Sequence, residues 1–584
     1  MRGPLYEYIL ASTALALILA LPGAATTQET DKRATTLAPP PAAAGAAPTA
    51  TSPAAITSEA PPAPAAVPER AAAPDPLASL DPADRAVAEK IRDLLAAKGD
   101  RIFSSKKERA AVEAFYQNRN LAPLWLDRGV ENGRARSAIA RLKMADSDGL
   151  EPADYRTPSF GGIDSPDALA EAELRLTETV LTYARHVQAG RFAYSRVSRN
   201  MELLQAPPDP ADVLNRVAGA ANAGKALDEF SPPHEQYRRL KAMLAELRSK
   251  PAAVRNEAPL PAGNRKGQRA GEPLASREPG VGHDRQIETI IANMERWRWY
   301  PRDLGKAHVE VNQPDFTLKV LHDGREVWTT RIVIGKPSMP TPLLSETMKY
   351  ITINPTWHVP PSIVRNEYLP ALAQDPTVLS RMGLHVSYSG GEVQITQPPG
   401  DGNALGRVRF NFPNRFLVYQ HDTPDKYMFG HDMRAYSHGC MRVQDPAKYA
   451  EVLLNMAHPE EHWTAERIKH MFGSNEQDIQ IQPFPIWVHL TYQTAFVDDA
   501  GKLQIRRDVY GLDPRTLAAI RSERGVVEPP AERKREPEVA SVSPRRSAPA
   551  PRNNAPVFQS MFGESYGYAP GYGTSSAHPR MIYR

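Results

Sequence analysis

The chain has 584 residues, 41% of them hydrophobic and 24% charged, with a net charge of +4, 56 prolines and a single cysteine. So small a charge over such a length gives no argument for a nucleic-acid binder, and one cysteine excludes an intramolecular disulfide framework. The apolar fraction is ordinary for a soluble protein and is enough for a large core.

The N-terminus carries Arg2, the apolar run "ILASTALALILAL" and then "PGAAT", whose small Gly23 and Ala25 suit a signal peptidase. The run is short of the ~20 residues that span a bilayer. Residues 1–25 are expected to be an export signal, with an uncleaved anchor as the alternative, and both place the remainder outside the cytoplasm. Residues 26–79, dominated by Ala, Pro and Thr, cannot bury enough apolar surface to offset ordering entropy and read as a disordered tether.

Order begins in "LDPADRAVAEKIRDLLAAKG". Asp81 can cap, Pro82 suits a first turn, and Val87, Ile91, Leu94 and Leu95 form one stripe that stops before Gly99. Helical patterns follow at about 106–119, 134–145, 167–189, 211–222 and 234–249, which predicts an all-helical scaffold domain over 80–250. Residues 251–282 lose periodicity and read as a linker, and a helical stretch over 283–305 joins the two halves. The period then changes to two in "HVEVN", "FTLKVL", "EVWTTRIVIG", "KYITIN", "VQITQ", "RVRFNF", "FLVYQ" and "IWVHLTY", with a hairpin turn at Asp323-Gly324. This predicts a mainly β domain over 306–512. Residues 513–584, rich in Pro, Arg, Ser, Gly and Tyr, read as a disordered tail.

The lone cysteine lies in "AYSHGCMRVQDP". A thiol reacts as thiolate and needs a base or a positive field beside it. His421, at the end of a strand-like run, is the best base. His438 stands two residues before Cys440 and Arg442 two after, while Ser437 and Gly439 allow a tight turn whose N–H groups can form an oxyanion hole. Asp445-Pro446 looks like the start of a helix. Two other readings stay open on the residues alone: a buried structural thiol, and a zinc site from His421, His438 and Cys440, although His-Gly-Cys is not the usual ligand spacing. His431 has no evident task.

"HDTPDKYMFGHDMRAYSHGCMRV" resembles the signature of the YkuD-domain L,D-transpeptidases. "GKPSMPTP", "INPTWHVPPSI" and "PPGDGNALGRVRFNFPN" resemble their long, YcbB-type subgroup. The similarity runs over about residues 290–512 and extends weakly into "AVEAFYQNRNLAPLWLDRG". It implies a multidomain protein: a helical scaffold plus a mixed β-sandwich catalytic domain, mainly β, with a helical lid at about 354–403 and disordered flanks. The segment "PSIVRNEYLPALAQDPTVLSRMG" is itself helical in pattern. The small peptidoglycan-binding module common in the subgroup has no counterpart at 251–282, which leaves the mode of docking on the cell wall open, with the helical half as the candidate.

The resemblance further implies an enzyme of peptidoglycan biosynthesis, cell-wall biogenesis and cell shape in the periplasm. Cys440 is then the nucleophile that releases D-alanine from a tetrapeptide stem. His421 is the general acid/base, oriented by a backbone carbonyl near Asp422, and His438 is supporting. Ser437, Gly439, Arg442 and Asn403 are expected around the substrate, with Arg442 serving chiefly to hold the loop. The thioester passes to the diaminopimelate amine of a second stem, giving a 3→3 crosslink, and a carbapenem is expected to acylate the same thiol. The acceptor stays open: a stem, an outer-membrane protein or water. No metal or cofactor and no nucleic acid is implied, the oligomeric state is not given, and an idle envelope-binding scaffold is the non-enzymatic alternative.

Overall fold

The computed structural model describes residues 77–250 and 282–522. The expected signal, the tether up to residue 76, nearly all of the linker and the tail beyond 522 lie outside the described residues. Among the described residues no helix is long and apolar enough to cross a membrane.

The first half is helical: α1 (Pro82–Ile102), α2 (Lys106–Asn118), α3 (Gly133–Lys143), α4 (Pro166–Ala189), α5 (Pro210–Gly219), α6 (Ala223–Asp228) and α7 (Glu235–Ser249). Three two-residue strands interrupt it: β1 (Leu126–Asp127), β2 (Val130–Glu131) and β3 (Met201–Glu202). α4 is buried around most of its circumference, as a helix at the centre of a bundle must be. Its Glu173 is buried too. It accepts hydrogen bonds from Tyr116 Oη at 2.8 Å, from Trp125 N at 3.1 Å and from Leu124 N, and burial pushes its carboxyl up to about 7. α1 runs past Gly99, which was expected to end it. An interior glycine costs only ~1 kcal/mol, and packing of Ile102 and Phe103 on the helical core outweighs that.

α8 (His283–Trp297) joins the halves. Arg298, just beyond it, pairs with Glu295 at 2.6 Å and donates to the Asp148 carbonyl. The Asp148 carboxylate in turn accepts from Tyr237 at 3.1 Å and pairs with Lys241 at 2.8 Å. Such a buried network, with its charges paired, rigidifies what it connects.

The second half has β4 (Ala307–Asn312), β5 (Thr317–His322), β6 (Arg325–Gly335), β7 (Leu343–Thr347) and β8 (Tyr350–Ile353). A lid follows: β9 (Trp357–His358), α9 (Pro361–Ile363), a π turn at Val364–Tyr368, α10 (Leu369–Gln374), α11 (Val378–Arg381), β10 (His385–Ser389) and β11 (Glu392–Gln397). β12 (Val408–Asn411), β13 (Gln420–His421), β14 (Ala435–Ser437) and β15 (Met441–Val443) precede α12 (Pro446–Ala457) and α13 (Ala465–His470). The described chain ends with β16 (Gln477–Gln480), β17 (Ile486–Thr491), β18 (Ala495–Val497), β19 (Leu503–Ile505) and α14 (Leu512–Ser522).

One mixed sheet runs β16-β8-β12-β13-β15-β6-β5-β4-β17-β7-β3, with β14 also paired to β6. Ile351 of β8 and Leu344 of β7, near opposite ends of that order, share one core with Val309, Phe410 and Val488. Two ends of a sheet can share a core only if the sheet curls face on face, which is the sandwich expected. Asp323 and Gly324 turn the β5–β6 hairpin with φ of 48° and 74°, as a two-residue turn requires. The lid has a small core of its own around Val364, Leu379 and Ile395.

Two further expectations need correction. "FLVYQ" forms a strand only at Gln420–His421, because Asn414 Oδ1 gathers the N–H groups of Phe416 and Val418 and Leu417 sits at φ 56°. Residues 513–522 belong to α14 and are not a tail: Asp513 pairs with Arg296 at 2.6 Å, and Leu512 and Ala519 are buried.

Candidate active site

β14 and β15 both pair with β6, Ser437 opposite Gly335 and Arg442 opposite Val333, so the loop between them must reverse within Ser437–Cys440. Gly439 takes φ 116° there, a conformation that side chains rarely adopt. Ser437 Oγ closes the turn, donating to the Cys440 carbonyl at 2.5 Å and accepting from Gly439 N at 3.2 Å. Thr341 Oγ1 donates to the Gly439 carbonyl at 2.7 Å. A Cβ on Gly335 would lie 2.2 Å from the Met339 carbonyl oxygen and 3.0 Å from Gly439 Cα, so this floor can only be glycine.

β13 lies parallel to β15 with His421 opposite Arg442, and Met441 N donates to the Tyr419 carbonyl at 3.0 Å. This pairing brings His421 and Cys440 to one cleft of about 540 Å³, which Ser437, His438 and Arg442 also line. The size is that of a small-ligand site. His421 is buried, and its Nδ1–H donates to the Asp422 carbonyl at 2.5 Å. A carbonyl only accepts, so Nδ1 carries the proton and Nε2 holds the lone pair. Burial, with the Arg442 charge as a second cause, pushes the imidazole down to about 3. Burial pushes the Cys440 thiol up to about 11. Both groups are therefore neutral at pH 7.

Tyr419, absent from the sequence expectations, also lines the cleft and brings its hydroxyl beside the Cys440 thiol and the Trp357 side chain of the lid. It stands two residues before His421, the same-face spacing of an extended chain, and that was the available signal. His438 Nε2 lies 2.6 Å from Glu367 Oε1 on the lid and 3.2 Å from Lys336 Nζ. Arg442 Nη1 donates to Asp425 at 3.0 Å, tying β15 to the loop after β13. Asn403, expected beside the substrate, does not line the cleft. It is buried, donates to the carbonyls of Pro355, Gln397 and Pro398, and accepts from Leu405 N, so its polar atoms are spent on the base of the lid. Gly439 acts through backbone geometry alone. His431 lies outside the cleft against Tyr436, at 3.0 Å.

The zinc reading finds no geometric support: the one cluster of His, Cys, Asp or Glu ligand atoms within 4.8 Å of one another among the described residues is His458, Glu460 and Glu461, and His438 turns to Glu367 instead.

Comparison with known proteins bears on the same residues. Residues 306–460 match the L,D-transpeptidase catalytic domain, YkuD, and residues 110–244 match a scaffold domain. A protein of Haemophilus influenzae named "Putative L,D-transpeptidase" is 23% identical over 418 residues, covering 68% of this chain and 77% of its own. An L,D-transpeptidase structure from Mycobacterium smegmatis aligns at 12% identity and TM-score 0.17, over 32% of this chain and 58% of that one. Another, in complex with imipenem, aligns at 14% and 0.16, over 32% and 59%. The chain thus spans less than two thirds of the length of either structure. The chain thus carries a YkuD L,D-transpeptidase catalytic domain, whose match encloses both His421 and Cys440, together with a scaffold domain.

Proposed function

We propose that the protein forms 3→3 crosslinks between diaminopimelate residues of peptidoglycan stem peptides in the periplasm. The observation that carries this is the neutral pair in one cleft: the Cys440 thiol, and His421 with Nδ1 committed to the Asp422 carbonyl so that Nε2 can take a proton.

The sulfur attacks the carbonyl after the L-centre of diaminopimelate in a tetrapeptide stem as the thiol proton passes to His421 Nε2. The Cys440 N–H, which has no hydrogen-bond partner among the described residues, and the Tyr419 hydroxyl receive the developing oxyanion. Collapse breaks the C–N bond, His421 returns the proton to the leaving amine, and D-alanine departs, leaving a thioester. The side-chain amine of a second stem then attacks, gives its proton to His421, and the thiolate leaves and is reprotonated. Ser437 and Gly439 hold the loop, and His438 supports it from the lid side. Acyl transfer of this kind needs no metal or cofactor.

The test is mass spectrometry of disaccharide-tetrapeptide incubated with the full chain and with Cys440→Ala. A cysteine-dependent dimer lacking one D-alanine is expected. Tripeptide without dimer would assign the acceptor to water or to another amine, an outer-membrane protein included, and no product would reject the enzyme in favour of an envelope scaffold. A carbapenem should add its mass to Cys440 in the same assay.

A further inference from the structure

The cleft has one charged side chain that neither the mechanism nor an ion pair uses. Arg365 lines it from the π turn of the lid, and its guanidinium is exposed with no hydrogen bond or ion pair among the described residues. An unpaired arginine on an open surface means little, but this one is set apart in three ways. The neighbouring acids are already engaged: Asp425 with Arg442 at 3.0 Å, and Glu367 with His438 at 2.6 Å and Lys336 at 3.7 Å. Trp357, Tyr368, Phe416 and Leu417 give the same cleft apolar wall for the body of a ligand. The backbone that carries Arg365 is pinned, because Ile363 and Val364 are buried in the lid core and Glu367, two residues on, is held against the catalytic loop. A π turn inside a helix costs regular hydrogen bonding and recurs at functional sites.

An uncompensated cation carried on a pinned backbone at the edge of the cleft favours an anionic ligand, and a guanidinium suits a carboxylate, which it can grip with two parallel N–H donors. We infer that Arg365 is a substrate clamp that binds a carboxylate of the acyl-donor stem peptide and thereby registers its scissile carbonyl over Cys440. This rests on the transpeptidase reading above. A stem peptide can offer the carboxylate from its terminal alanine, its diaminopimelate or its glutamate, and the test separates them.

Calorimetric binding of disaccharide-tetrapeptide to the full chain carrying Cys440→Ala, with and without Arg365→Gln, requires no turnover. The second substitution should weaken binding roughly 10- to 100-fold, the loss of one charge-assisted hydrogen-bonded pair, and Arg365→Lys should recover part of it. Among peptides amidated at one carboxylate at a time, the one that binds both proteins equally identifies the partner. With Cys440 present, Arg365→Gln should raise KM and leave kcat within a few fold. Equal affinity of the two proteins for the unmodified peptide, or an equal penalty for every amidated peptide, would overturn the clamp. The transpeptidase reading fails differently: the peptide binds in an Arg365-dependent way but no D-alanine is released.

Discussion

Glu367 of the lid meets His438 of the catalytic loop at 2.6 Å, with Lys336 from the end of β6 3.7 Å from the same carboxylate oxygen. A second link runs from Trp357 of the lid through the Tyr419 hydroxyl to the Cys440 thiol. The lid thus touches the reacting centre from both sides, and its position bears on the thiol as well as on access. Glu367 is partly exposed, and such pairs contribute ~1 kcal/mol or less to stability. Glu367→Gln should therefore leave Tm almost unchanged, raise hydrogen exchange across 361–381 and lower kcat/KM by about tenfold. Unchanged exchange in the lid would mean that its own core suffices to hold it down.

In the proposed mechanism Cys440 and His421 act as a unit, so Cys440→Ala and His421→Ala should each cost on the order of 10⁴-fold in turnover. His431, outside the cleft and bonded to Tyr436, should tolerate alanine within about twofold, the small effect expected of an exposed site. D-alanine release, read beside thermal melts, checks all three. A proficient His421→Ala enzyme would remove the base from the mechanism.

The acid–base state of the pair gives a pH signature. Burial penalises the thiolate, so Cys440 titrates near 11 and not at its ordinary 9.0, while His421 stays neutral down to about 3. Iodoacetamide consumes thiolate, so alkylation of Cys440 should climb about tenfold per pH unit towards 11, without an inflection at imidazole pH. A rate plateau near neutrality would show instead a preformed thiolate–imidazolium pair.

Tyr419 gives a narrower test. Phenylalanine keeps its ring, which lies edge-on to His421 with centroids 5.8 Å apart, and removes only the hydroxyl. If that hydroxyl receives the oxyanion, kcat should fall by about 10²-fold, as for other single donors, with the melting temperature preserved. A change confined to KM would assign Tyr419 to substrate packing.

What could be read in advance follows from how far each interaction reaches along the chain. That His421 and Cys440 share a cleft was legible because two short strands, β13 and β15, pair side by side and the loop between them is local. Tyr419 was not, because its significance depends on Trp357, far upstream on the lid. β14 and β15, three residues each, are too short for a period of two to register. β3 lies in a helical half, and only its pairing with β7, Met201 opposite Leu343, reveals that the scaffold donates the edge of the catalytic sheet. Asn403 misled because a buried amide bonded to three carbonyls and a substrate-facing amide look alike in sequence.

Gly406 tests how the base is held. It takes φ 61°, and a Cβ there would lie 2.4 Å from the Asp422 carboxylate. That carboxylate is fixed by Arg407 N at 2.8 Å, Thr423 N at 2.7 Å and the Lys426 ammonium, and the Asp422 carbonyl orients His421. Gly406→Ala must displace Asp422, and with it the imidazole that this carbonyl aligns. Misplacing a base by a fraction of an ångström to an ångström costs ~10²-fold, whereas the left-handed backbone strain costs only ~1–2 kcal/mol. The variant should thus lose kcat far beyond what its modest drop in Tm explains. Gly400→Ala, where a Cβ meets nothing within 4 Å, is the matched control and should keep both. Parallel loss of activity and stability in Gly406→Ala would instead place Asp422 among the groups that hold the fold, with no separate hand in aligning His421.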